Sequence, residues 1–198
     1  PEVYLCYVMG RLEKSLQLVR MKFIGGLLMQ RTNCKYLLAP GIIDIDKMRE
    51  DGLYPTDERL RQGPVAVFEC GEEIPCNPCE TACKKGFVSV GIDITKIPIV
   101  DEECSGCGLC LPKCPGLSIF ILDGSLSGDM ASVTIPYELF PLPEEGEVVE
   151  VLDRYGGNIG DGEIMKCRKL YRDDTCWSIT LRVPFALIHK ARHFRRKE

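Results

Sequence analysis

The most constraining feature of this sequence is a dense run of cysteines near its middle, spaced as metal ligands are. Two residues separate each of the first three thiols and three residues precede the fourth, which gives Cys104, Cys107, Cys110 and Cys114. Part of this pattern occurs upstream as well: Cys76, Cys79 and Cys83 each lie 31 residues before Cys107, Cys110 and Cys114. Such strict register indicates an internal repeat.

The upstream copy departs from the repeat at its first position. Residue 73 is Glu73 where a thiol is expected, and Cys70 lies three residues earlier, so the opening loop is three residues longer. We assign the first position to Cys70, with Glu73 as the alternative ligand. In the downstream copy, Gly106 and Gly108 allow the backbone to bend close to a bound group and leave amide groups free to face it.

The downstream run, which ends in Cys-Pro, resembles the cluster-binding motif of bacterial two-cluster ferredoxins. The resemblance implies two [4Fe-4S] clusters, each taking its fourth thiolate from the other run. One cluster would be held by Cys70, Cys76, Cys79 and Cys114, and the other by Cys104, Cys107, Cys110 and Cys83. The sequence departs from the ferredoxin pattern at Lys84, where ferredoxins have a proline after the fourth cysteine.

Isolated Cys-x2-Cys pairs have simpler interpretations, and a structural zinc site or a redox dithiol is the usual one. A zinc site does not require the third closely spaced thiol, the trailing Cys-Pro or the staggered duplication. The pattern therefore favours iron–sulfur clusters over zinc.

Charge, hydropathy and cysteine content limit the kinds of protein that this chain can be. A net charge of −4 argues against a nucleic-acid binder. No stretch reaches the roughly 18 uncharged apolar residues of a membrane span, so no transmembrane segment is expected. Eight of the twelve cysteines are assigned to iron, which predicts a reducing, cytoplasmic location.

The predicted fold class is α+β: a two-cluster bacterial ferredoxin-like domain followed by a small barrel-like β domain with a C-terminal helix. The boundaries are an N-terminal arm over residues 1–40, packed on a partner, a lead-in over 41–63, the ferredoxin domain over 64–126 and the β domain over 127–198. The arm is predicted to contain a short amphipathic helix near residues 12–19, and its two thiols, Cys6 and Cys34, are too few to hold a four-thiolate cluster.

Local patterns place the individual elements. Asp44 and Gly52 bracket a short helix, and a turn or short helix is expected at 56–60. Strands are predicted at 65–68, 117–122, 147–152 and 177–183, at the alternating residues 133–135 and 165–167, and in a hairpin formed by 86–90 and 97–100. After Pro184, apolar residues at helical spacing predict the C-terminal helix: Leu187, Ile188, Ala191 and Phe194.

Other candidates favour ordinary interpretations. His189 and His193 lie one helical turn apart, where a solvated basic helix end is expected rather than a ligand pair. Cys167 and Cys176 are expected to be unmodified thiols. No nucleotide-binding fingerprint and no Ser/His/Asp arrangement can be assembled, so we expect the chain to carry electrons rather than to make or break substrate bonds.

More narrowly, the chain from residue 41 onward resembles the ferredoxin-type subunit found with flavin-dependent amino-acid dehydrogenases of the proline, hydroxyproline and sarcosine oxidase-like type. The residues behind this resemblance are the segment 69–83, Thr-Ile-Pro-Tyr-Glu at 134–138 and Leu-Arg-Val-Pro at 181–184. It implies an electron-transfer subunit in a hetero-oligomer whose flavoprotein dehydrogenase subunits carry FAD or FMN. The alternatives are a free-standing soluble two-cluster ferredoxin and a structural iron–sulfur or zinc module.

Overall fold

The computed structural model describes residues 35–39, 42–172 and 175–197, and its main feature is a seven-stranded antiparallel sheet. The sheet strands are β3 (Val65–Phe68), β6 (Ile119–Asp123), β7 (Met130–Tyr137), β8 (Val148–Leu152), β9 (Asn158–Arg168), β10 (Trp177–Pro184) and β11 (His193–Arg196). Their order across the sheet is β11-β8-β9-β10-β7-β6-β3. Two small hairpins lie outside it, formed by β1 (Leu37–Ala39) with β2 (Ile42–Ile43) and by β4 (Val88–Ser89) with β5 (Ile99–Val100).

Helices make up little of the described chain. Three short α-helices are α1 (Ile45–Glu50), α2 (Asp57–Arg61) and α3 (Pro78–Ala82), and two 3₁₀ turns span Leu111–Lys113 and Phe185–Leu187. Asp44 and Thr56 cap α1 and α2, because each side chain accepts a hydrogen bond from the backbone N–H three residues on. None of the described helices is long and apolar enough to cross a lipid bilayer.

The predicted α+β fold class is wrong: the described chain is mostly β. A ferredoxin-like domain followed by a separate barrel-like domain was expected, but the strands of both segments belong to one sheet, because β6 pairs with β3 on one side and with β7 on the other. The physical reason is visible in β6, where Ile119 to Leu122 are all buried. A strand that is apolar on both faces is typical of the interior of a sheet, where it has a hydrogen-bonded neighbour on each edge, and β6 therefore joins β3 to β7.

The predicted C-terminal helix is also wrong. After the short 3₁₀ turn, residues 193–196 are extended and pair with β8, Phe194 lying opposite Val151. Ile188, Ala191 and Phe194 are buried as the apolar pattern requires, but the segment gains the backbone hydrogen bonds of a sheet edge instead of those of a helix. Cross-strand ion pairs from Arg195 to Glu150 and from Arg196 to Glu147 add to the pairing, since opposite charges on facing strands attract.

The other local predictions in the described residues are confirmed: the two capped helices, the strands and the β4–β5 hairpin form close to their expected positions. The predicted N-terminal arm, with its helix, Cys6 and Cys34, lies outside the described residues except for 35–39. The core packs against the sheet with branched aliphatic and aromatic side chains, among them Phe68, Ile135, Ile164 and Leu181.

Candidate metal centre

Both cysteine runs lie in one excursion from the edge of the sheet. The chain leaves β3 after Phe68 and returns to β6 at Ile119, and these two residues face each other across the strand pair. The pairing continues one step into the excursion, because the N–H of Glu69 donates to the carbonyl of Ser118 at 2.8 Å. The two ends of the cysteine segment are therefore fixed side by side on a rigid sheet.

The structure brings together the four thiols that were assigned to the first cluster. A cavity of about 370 Å³ lies beside the end of β3, and four cysteines line it: Cys70, Cys76, Cys79 and Cys114. Cys114 belongs to the downstream run and the other three to the upstream run, so the cavity joins the two repeats. We call this cavity, with its four thiols, the upstream site.

Burial first, and the neighbouring Cys114 and Cys79 as like charges second, raise the pKa of Cys70 to about 12. Burial also raises the pKa of Cys79 to about 11. Such thiols keep their protons at neutral pH unless a positive centre compensates the thiolate charge. Four thiols lining one cavity, two of them with raised pKa values, are suited to a multinuclear iron centre, which binds cysteine as thiolate.

The downstream thiols form a second group around the 3₁₀ turn at Leu111–Lys113. Burial raises the pKa of Cys110 to about 12, with further contributions from Cys104 and Cys107, which places these three thiols together. Cys104 and Cys110 are buried, whereas Cys107 is exposed. We call this group the downstream site.

Cys83, the predicted fourth thiol of the downstream set, lies at the end of helix α3. Cys79 lies within α3 and Cys83 forms its C-cap, and α3 packs against the 3₁₀ turn that follows Cys110. Helix α3 therefore carries one thiol of each assigned set. Cys79 of the upstream site also contributes to the raised pKa of Cys110, so the two sites are neighbours.

Hydrogen bonds hold the downstream loop in place. The guanidinium of Arg59, on α2, donates to the carbonyls of Glu102 at 2.8 Å, Gly63 at 3.1 Å and Cys104 at 2.7 Å. Tyr171 donates to the carbonyl of Leu109 at 3.2 Å. These contacts bind the loop to elements before and after it, so the geometry of its thiols does not depend on the loop alone.

At the upstream site, a hydrogen bond reaches one of the cysteine sulfurs itself. The backbone N–H of Ser118 donates to Sγ of Cys114 at 3.3 Å. Amide hydrogen bonds to ligand sulfur stabilise the thiolate form and are one of the factors that set cluster potentials.

Next to the upstream site lies a buried ion-pair group that the sequence did not reveal. The Glu69 carboxylate accepts hydrogen bonds from Arg154, at 2.8 Å from Nε, and from Arg192, at 2.8 Å from Nε. Arg192 also donates to the Tyr54 hydroxyl at 2.9 Å, and Arg154 to the carbonyl of His189 at 2.8 Å. The only available signal was a glutamate following a fully apolar strand; its partners are distant in sequence.

The side chains of Glu73 and Lys84 are both exposed. Glu73, the alternative first ligand, is exposed and forms an ion pair with Lys96 at 3.3 Å, whereas Cys70 lines the cavity.

The histidines do not lie on a common helix. His189 Nε2 lies 2.8 Å from Asp57 Oδ1, and His193 belongs to β11. Cys167 is half-buried with its Sγ 3.2 Å from the carbonyl of Pro143, and Cys176 is buried at the start of β10.

Among residues 35–39, 42–172 and 175–197, no three His, Cys, Asp or Glu side chains converge closely enough to bind one metal ion. A four-iron cluster is a different case, because each thiolate binds its own iron atom. Comparison of the chain with known protein families, curated proteins and solved structures finds no match. The functional argument therefore depends on the residues themselves.

Proposed function

We propose that this chain is an iron–sulfur electron-transfer subunit of a multi-subunit flavin-dependent dehydrogenase, whose substrate is an amino acid. The observation that carries the proposal is the upstream site, in which a thiol from the downstream run completes a cavity lined by three thiols of the upstream run. This exchange of the fourth ligand is the arrangement of two-cluster ferredoxins. When bound, a [4Fe-4S] cluster supplies a centre that accepts and gives up one electron.

The chain's own residues have three tasks in this proposal. The eight assigned cysteines hold two clusters, with Cys70, Cys76, Cys79 and Cys114 at the upstream site and Cys104, Cys107, Cys110 and Cys83 at the downstream site. Arg59 and the Ser118 N–H fix the loops and sulfurs. Buried apolar strands, above all β3 and β6, exclude water from one side of the sites.

The surface beside the upstream site supports a partner subunit. The loop of the β4–β5 hairpin lies against this site, since the Cys76 N–H donates to the carbonyl of Ile94 at 3.0 Å. Large apolar side chains around it are exposed: Ile74, Ile92, Ile94 and Ile99. Ile92, Ile94 and Ile99 belong to one hairpin, and exposed apolar patches mark protein interaction sites. The proposed partner is the flavoprotein dehydrogenase subunit that carries FAD or FMN, and the proposed location is the cytoplasm.

Metal analysis tests the clusters. Protein isolated without oxygen should contain about eight iron and eight sulfide per chain, as two four-iron clusters require. Cys114→Ala should abolish the electron paramagnetic resonance signal of the upstream cluster and Cys83→Ala that of the downstream one. Cys167→Ala, a thiol outside both sets, should leave iron and sulfide unchanged. Stoichiometric zinc without sulfide would contradict the proposal.

Native purification tests the subunit role. The tagged full chain should co-purify with a flavoprotein, and Ile92→Asp should weaken this association because it places a charge in the apolar surface. Leu139→Asp changes an exposed leucine in the loop between β7 and β8 and is the matched control. A chain that is always monomeric and reduces many unrelated acceptors would instead be a free-standing ferredoxin.

A further inference from the structure

The ion-pair group beside Cys70 has an uneven number of charges. It contains one carboxylate, Glu69, and two guanidinium groups, Arg154 and Arg192. All three side chains are nearly inaccessible to solvent, with 6%, 13% and 4% of their surface exposed. One arginine would suffice to neutralise the carboxylate, so the second leaves a net charge of +1 in the protein interior.

This charge lies directly behind the upstream site. Glu69 is the residue before Cys70, and it lines both the thiol-lined cavity and a neighbouring cavity of about 230 Å³ that Arg154 and Arg192 also line. Ser118 borders both cavities as well. Its carbonyl accepts from the Glu69 N–H, and its own N–H donates to Cys114 Sγ. Two thiols of the upstream site are thus close to the ion-pair group along the backbone: Cys70 follows Glu69 directly, and Cys114 is joined to Glu69 through the hydrogen bonds of Ser118.

The charges of the group are fixed. The Glu69 carboxylate accepts hydrogen bonds from the guanidinium groups of both Arg154 and Arg192, each at 2.8 Å from Nε, so it is paired with two cations. Arg192 donates to Tyr54 and to the carbonyl of Ile188 in addition to Glu69, which satisfies its guanidinium without a further anion. The net positive charge is therefore a permanent feature of the fold.

We propose that the Glu69–Arg154–Arg192 group raises the reduction potential of the cluster held at the upstream site. The inference rests on the proposed function and assigns one of its tuning elements. A cluster gains one negative charge on reduction, and a buried positive charge stabilises that form because interior charges are weakly screened. The downstream site has a different cation beside it, Arg59, so the two potentials depend on different residues.

Redox titration of a set of charge variants tests this inference, each read by the resonance signal of the upstream cluster. Arg154→Gln reduces the net charge of the group to zero and should lower the upstream potential. Glu69→Gln increases it to +2 and should raise the potential. The double variant Glu69→Gln with Arg192→Gln restores +1 and should lie near the wild type. Arg154→Lys keeps the charge and should also lie near the wild type.

The controls separate electrostatics from disturbed packing. Lys84→Gln removes a positive charge from the exposed surface near the cysteines and should shift either potential much less than Arg154→Gln does, since solvent screens it. The downstream potential should change little in every variant of the group. If Glu69→Gln does not fold, the pair Arg154→Gln and Arg154→Lys decides alone, because Arg154 is the most exposed member.

Two results would overturn the inference in distinguishable ways. Upstream potentials that stay unchanged, or shift in the same direction for Arg154→Gln and Glu69→Gln, in variants with full iron content would refute the tuning role and leave the proposed function intact. Wild-type protein without iron and sulfide would refute the proposed function, and the tuning role with it.

Discussion

Gly106 provides a sharp test of how the downstream loop is packed. Its backbone is in the left-handed region, with φ of +56°, and a methyl group at this position would lie 2.6 Å from Pro64 Cβ and 2.9 Å from Ile121 Cγ2. Gly91 has a similar backbone, with φ of +79°, but a methyl group there would have no neighbour within 4 Å. The two glycines therefore differ in the close approach alone.

The expected cost of alanine follows from these two terms. Both variants place a side chain in the left-handed region, which costs about 1–2 kcal/mol. Gly106→Ala also overpacks the loop against Pro64 and Ile121, which costs about 1–3 kcal/mol more. We expect Gly106→Ala to lower the free energy of unfolding by about 2–5 kcal/mol in total and Gly91→Ala by the strain term alone.

Urea titration without oxygen, followed by far-ultraviolet circular dichroism, measures both values. Gly106→Ala should also lose iron from the downstream site faster than Gly91→Ala, because the loop carries Cys104 and Cys107. Equal losses of stability in the two variants would refute the reasoning, since they would mean that the loop is not packed against Pro64 and Ile121.

Two further predictions concern proton equilibria. In the iron-free chain, iodoacetamide at about pH 8 should alkylate Cys70 much more slowly than the exposed Cys107, because burial raises the pKa of Cys70 and leaves little thiolate. Mass spectrometry measures the two alkylation rates. Equal rates would argue against a closed upstream site. Burial and the charge of Arg49 lower the pKa of His189 in the folded chain below its ordinary value of 6.5. The contribution of His189 to the free energy of unfolding is therefore complete above pH 6.5, and it is lost as the pH falls through the pKa of the folded state. His189→Gln should therefore flatten the decline in stability between about pH 7 and pH 5 relative to wild type and to His193→Gln, and an unchanged slope would contradict this.

Local features of the sequence were sufficient where the chain's own neighbours decide the conformation. Asp44 and Thr56 cap helices because their side chains reach N–H groups three residues away. The resemblance of the cysteine spacing to the ferredoxin motif implied that Cys114 joins Cys70, Cys76 and Cys79, and these four thiols line one cavity of the described structure. The two clusters themselves remain a proposal.

Tertiary structure decided what depends on distant partners. The apolar spacing of Leu187 to Phe194 fits a helix as well as a turn followed by a strand, and only the free edge of β8 selects the strand. The run from Ile119 to Leu122 shows that both faces are buried, but the partner β7 is supplied by the next segment, which merges two expected domains into one sheet.

The charges near the upstream site show the same division. Sequence alone determined that Glu69 stands beside Cys70, and gave no indication of its partners. Arg154 and Arg192 follow it by 85 and 123 residues and meet it only because the turn after β8 and the segment before β11 come together behind β3. A glutamate at the end of a buried strand requires a cation, and only the folded sheet determines that there are two.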